Sequence, residues 1–246
     1  MSDVVLRELR DGLCSLTLNR PDKLNALNFD MFKALSAHID FAAENPKTVG
    51  CVVLRGAGRS FCAGNDLGDL GGVFEGGDGS HFRSTTVERL AALPMPVLAA
   101  VRGHCLTGGL ELALAADIII AAESAKFGDT HGKWDLVPVW GLSQRLPRRI
   151  GRAKALEMSF SARTYSGRDA ATMGLANFCV DDAELDASVS AFAADVLANS
   201  WRSSRAIKKL VDDTEGLPLK AGLAHEIHRS EGRGAETAQR LARMRK

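Results

Sequence analysis

Apolar residues along the chain change their spacing in a way that separates strands from helices. Near the start they alternate in pieces, Val4, Leu6 and Leu9, then Leu13, Leu16 and Leu18, with Asp11-Gly12 between them. Alternation reads as half-buried strand, and Asp-Gly between two such runs reads as a hairpin turn. From Phe29 to about Glu44 the spacing becomes helical, with Phe29, Phe32, Leu35, Ile39 and Phe41 near one face. Residues 50–55 are a short apolar run, expected to be a buried strand, and residues 56–60 a turn. The apolar run after Pro94 and Pro96, continuing to Val101, predicts another strand, and Asp117 to Ala122 a third. Helices are expected from His81 and Arg83 to about Leu93, over 144–160, and from Ser166 to Met173, where Gly174 ends the last and a strand comes next. From Asp182 onward the pattern is helical, interrupted at Gly216-Leu217-Pro218. The predicted organisation is a mixed α/β body, residues 1–190, and then an all-helical region, residues 191–246.

Two segments lack a period. Residues 68–81 are glycine-rich and polar and predict a mobile surface loop. Residues 125–146 carry two Trp, one His and two Asp without regular spacing, a mixture that suits the wall of a pocket.

The densest chemical signal lies at 99–117, where an apolar strand leads through Gly108-Gly109 into an alanine- and leucine-rich helix. A helix N-terminus offers unpaired amides and positive potential to a developing anion. Glu111, three residues past Gly108, shares its face. One carboxylate beside one oxyanion donor suits proton transfer at a carbonyl compound. The same residues also have a purely structural reading, because glycines aid packing and Glu in a first turn is favoured electrostatically. The loop from Ser60 to Leu67 comes after a core strand and can present backbone amides, or serve as a plain connection.

Composition narrows the classes. A length of 246 residues with 46% hydrophobic positions allows one large domain with a sizeable core. Lys plus Arg, 31, nearly balance Asp plus Glu, 30, which argues against a dedicated nucleic-acid or membrane-surface protein. No apolar run is long enough to cross a bilayer, and the N-terminus lacks a signal pattern. Five scattered cysteines without a C-x-x-C pair read as free thiols and no zinc site, so a cytoplasmic protein is expected.

In order along the chain stand Asn19-Arg20-Pro21-Asp22-Lys23-Leu24-Asn25-Ala26-Leu27, Ser60-Phe61-Cys62-Ala63-Gly64-Asn65-Asp66-Leu67, Gly103 through Asp117, Ala125-Lys126-Phe127-Gly128, Leu136-Val137-Pro138 and Gly141 to Leu146. With these pieces the chain resembles the enoyl-CoA hydratase/isomerase (crotonase) superfamily over nearly its whole length. The resemblance implies a spiral of strand-strand-helix units with a helical C-terminal region that mediates trimers, often stacked in pairs. It implies an acyl-CoA substrate, no other cofactor, and a thioester oxygen held by the amides of Asn65 and Gly108. Glu111 matches one of the two hydratase glutamates. Where the second would stand, four residues after Phe127-Gly128, this chain has His131, either a catalytic partner or a pocket liner. A second departure is Asp135, where the family has glycine. Asp129 and Asp135 either orient His131 or are solvated loop acids, the latter being the expectation for Asp129. For CoA contacts the resemblance points to Arg20, Lys23, Ala26, Ala63 and Asp66. An enolate reaction of hydratase or isomerase type is the leading expectation. Decarboxylation, hydrolysis, and non-catalytic acyl-CoA binding are the alternatives.

Overall fold

A computed structural model describes residues 3–69 and 78–244. The chain begins as a hairpin, β1 (Val5–Arg10) and β2 (Leu13–Leu18), in antiparallel register from Val5 against Leu18 to Arg10 against Leu13. Its turn is the expected Asp11-Gly12, both residues at positive φ (50° and 89°), as the tightest hairpin turns require. Next come α1 (Phe29–Glu44), β3 (Cys51–Gly56), α2 (Asp78–Ala91), β4 (Val97–Val101), β5 (His104–Leu106), α3 (Gly108–Leu114), β6 (Ile118–Ala122) and β7 (Lys126–Gly128). The remainder comprises α4 (Leu142–Ile150), α5 (Arg152–Ser161), β8 (Tyr165–Ser166), α6 (Gly167–Thr172), β9 (Phe178–Val180), α7 (Leu185–Ala198), α8 (Trp201–Thr214), α9 (Leu219–Arg229) and α10 (Thr237–Met244).

The strands form two sheets. The larger runs β1-β2-β3-β4-β6-β9 and is parallel from β2 onward, so each successive strand requires a crossover. Parallel strands are buried on both faces. One face, including Leu16, Val52, Leu54, Ala99, Val101 and Ile119, packs on Met31, Phe32, Leu35 and Ile39 of α1 within the main core. The other, with Val53, Leu98, Ala100 and Ile120, is covered by Leu185, Val189 and Ala193 of α7. The expected division at residue 190 therefore falls within a helix that seals the sheet.

The smaller sheet has the order β5-β7-β8 and is prolonged by two single bridges, Cys62 to Cys105 and Leu27 to Asn65. The chain is thus a spiral: each turn lays one strand in the large sheet, a second short one in the small layer, then a helix.

Two sequence expectations are corrected. The helix expected over 144–160 is two helices, α4 and α5, because Gly151 adopts φ 79°, which ends one and starts the other. The helix expected from residue 81 already starts at Asp78. Residues 70–77 of the expected mobile loop lie outside the described residues.

The connection into the small layer is held by Asn25, fully buried and at φ 56°, a conformation Asn tolerates. Its Oδ1 accepts from the Arg20 amide (2.9 Å), and its Nδ2 donates to the carbonyls of Ala57 (2.9 Å) and Ser60 (2.7 Å). Asn25→Ala would leave these groups unpaired and is expected to cost about 2–4 kcal/mol in a urea unfolding experiment. A loss of about 0.5 kcal/mol or less, the range of an ordinary surface change, would contradict this role.

Candidate active site

Three consecutive turns of the spiral end at one place. In the small layer Cys62 pairs with Cys105, and Leu106 pairs with Gly128, all in parallel. Parallel pairing brings the loops leaving these strands to the same end of the layer, so Asn65, Gly108 and His131, each a few residues past the paired positions, meet at one edge. All three line one cleft of about 350 Å³. Neither the Asn65 nor the Gly108 amide donates to a partner among the described residues.

The two glycines at the start of α3 are there for close approach. A Cβ on Gly108 would stand 2.3 Å from Cζ3 of Trp140, and one on Gly109 would stand 2.4 Å from the Cys62 carbonyl oxygen. The backbone turn itself falls on Thr107, at φ 46°. Its amide is anchored to the Gly128 carbonyl at 2.9 Å.

Glu111 sits in the first turn of α3 with 1% of its surface exposed. Its Oε1 accepts from the amides of Trp140 (2.8 Å) and Leu142 (3.3 Å), at the start of α4. Its Oε2 is 3.9 Å from Nε2 of His131. Burial pushes the Glu111 carboxyl above the usual range, opposed only in part by those amides and by His131. His131 is buried, and its Nδ1 lies 2.6 Å from Oδ1 of Asp129. Asp129 is itself 2% exposed, so the expectation of a solvated loop acid is wrong. Burial alone would raise its carboxyl, but hydrogen bonds from His131 and Ser159 outweigh that and hold it below the usual range. Asp135 is exposed at φ 54°, capping the short helical turn His131–Trp134, and does not reach the imidazole.

The remaining sequence candidates divide. Ala63 lines the cleft. Arg20 is engaged by the protein itself, in an ion pair with Asp66 (2.9 Å) and a hydrogen bond to the Ala26 carbonyl (2.6 Å). These contacts clamp the 20–27 segment to the loop carrying Asn65. Lys23 is exposed on the same turn. Sequence reasoning missed Arg83, buried over the rings of Phe29 and Phe32, whose Nη1 donates to Oδ1 of Asn65 at 3.2 Å. It also missed that Trp140 serves both as cleft wall and, through its amide, as a donor to Glu111.

The sequence pattern of the enoyl-CoA hydratase/isomerase family matches residues 8–239. The chain belongs to that family. It is 36% identical over 214 residues to probable enoyl-CoA hydratase 1, peroxisomal, of Arabidopsis thaliana, covering 87% of this chain and 79% of that one. It is 34% identical to 1,2-epoxyphenylacetyl-CoA isomerase of Escherichia coli K12, covering 96% and 93% respectively. The crystal structure of enoyl-CoA hydratase from Bacillus anthracis superposes with a TM-score of 0.93 at 30% identity, covering 98% of this chain and 96% of that one. The protein is a crotonase-type acyl-CoA enzyme with the mixed α/β fold expected from the resemblance. Among the described residues no helix is long and apolar enough to cross a membrane.

The raised Glu111 carboxyl has a stability consequence. A buried carboxyl that ionises late favours the folded state at low pH and loses that contribution as pH rises from the ordinary glutamate range through its elevated folded value. Glu111→Gln cannot titrate, so its melting temperature should gain on the wild type as pH is raised. Parallel melting curves across pH would show that Glu111 ionises as an ordinary glutamate.

Proposed function

We propose that the enzyme hydrates 2-enoyl-CoA thioesters through an enolate. The observation that carries this reading is the placement of two acid–base groups, Glu111 and His131, 3.9 Å apart in the same cleft as two unpaired amides. The thioester oxygen accepts from the Asn65 and Gly108 amides. Removing one such donor costs on the order of 3 kcal/mol in transition-state stabilisation. A water within about 3 Å of both groups is activated by His131. Its oxygen bonds to Cβ, the C=C pair moves into the enolate, and Glu111 in its acid form, which burial favours, delivers a proton to Cα.

The acyl group lies against Leu106, Trp134, Leu136 and Trp140, while the CoA portion runs past Ala63 toward the Arg20, Ala26 and Asp66 clamp, with Lys23 beside it. CoA enters as part of the substrate, with no separate cofactor. The chain is further proposed to form trimers or pairs of trimers. In support, α8 and α9 expose Ile207, Val211, Leu219, Leu223 and Ile227, apolar side chains that a neighbouring copy would cover.

Glu111→Gln should reduce hydration of crotonyl-CoA at least about a hundredfold. Near-normal turnover would remove Glu111 from the chemistry. In a panel of CoA esters, migration of the double bond without water addition would replace the hydratase reading with an isomerase. Light scattering should give a mass three or six times the 26.3 kDa chain, and a monomer at micromolar concentration would contradict the assembly.

A further inference from the structure

We propose that Asp129 is a positioning residue that sets the tautomer of His131, placing the ring proton on Nδ1 and leaving Nε2 bare toward the substrate. The inference rests on the hydration reading above. Its geometric basis is independent of it. Asp129 directly succeeds β7, whose end is fixed by the Thr107 amide donating to the Gly128 carbonyl at 2.9 Å. One carboxylate oxygen, Oδ1, receives both the backbone amide of His131 (3.1 Å) and its Nδ1 (2.6 Å). Two bonds from one residue to one oxygen fix both the chain and the ring. An ionised carboxylate accepts only, so the proton between it and the ring belongs to Nδ1. The opposite nitrogen then faces Oε2 of Glu111, 3.9 Å away, across the cleft.

The consequence is a division of labour that two glutamates would not impose. The bare Nε2 takes the proton that water loses as its oxygen bonds to Cβ. The imidazolium so formed is stabilised by Asp129, which keeps its negative charge throughout. Glu111 gives its proton to Cα. The proton on Nε2 then passes to Glu111, which restores both groups for the next turnover. Asp129 never touches substrate and acts only through the ring.

The test uses the full-length protein labelled with 15N at histidine, with the ring nitrogens of His131 read by long-range proton–nitrogen correlation and assigned through His131→Gln. The wild type should show Nδ1 protonated and Nε2 bare. In Asp129→Asn the carboxamide can donate to Nδ1, so the proton should move to Nε2. In that variant kcat for crotonyl-CoA should fall about a hundredfold or more, with KM within about threefold and an unchanged fold by circular dichroism. Asp129→Glu, which restores an acceptor, should recover the wild-type tautomer and part of kcat. A wild-type spectrum with the proton on Nε2 overturns the proposal, and so does Asp129→Asn with kcat within about threefold of wild type. Should Asp129→Asn fail to fold, the wild-type and Asp129→Glu spectra still decide. If no CoA ester is turned over by the wild type, the hydratase reading fails while the spectra still report on Asp129.

Discussion

The site exists because of the parallel register in the small sheet layer. Cys62 lies beside Cys105, and Leu106 beside Gly128, so the loops leaving these strands are delivered to one edge. Asn65, Gly108 and His131 are 43 and 23 positions apart along the chain yet share a cleft, because the spiral returns after each crossover to the same level. A slip of one residue in this register would turn the paired side chains to the opposite face and separate the loops. The hydrogen bonds that hold it are main-chain: Cys62 to His104, Leu106 to Cys62 and Thr107 to Gly128.

On that frame a carboxylate is buried at some cost. Glu111 is kept tolerable by two amides at the start of α4, where the Trp140 ring packs against Gly108. Arg145 ties down the same corner, its Nη1 donating to the Trp140 carbonyl at 3.0 Å and its Nη2 pairing with Glu88 at 2.9 Å. The opposite wall is steadied by Arg83 on Asn65 and by Arg20 on Asp66. Ordered polar groups thus hold both loops that line the cleft, through side chains on one wall and through the Trp140 carbonyl on the other. Preorganised donors of this kind are most effective where water is excluded.

Much of this was legible in the residues. Asp11-Gly12 announced its hairpin because only such a pair accepts two positive φ values without strain. The strand–glycine–helix passage at 99–117 pointed to Glu111 because burial, charge and helix position coincide there. The short strands β5 and β7 were not legible, since three residues are too few to show a period. The role of Gly108 and Gly109 was only half read: they admit neighbouring atoms, while Thr107 carries the unusual dihedral. Asp129 looked like any loop acid, because burial of a single side chain by tertiary contact leaves no local trace. Arg83 and Asn65 are joined across 18 residues by folding alone.

Enolate chemistry at this site requires the Asn65 and Gly108 amides to converge on one thioester oxygen. Difference infrared spectroscopy of a non-reacting acyl-CoA, with 13C at the thioester carbonyl, reads this directly. Two hydrogen bonds from the site should move the bound carbonyl stretch well below its frequency in water. A bound ester whose carbonyl absorbs at the solution frequency would mean that the amides do not meet there.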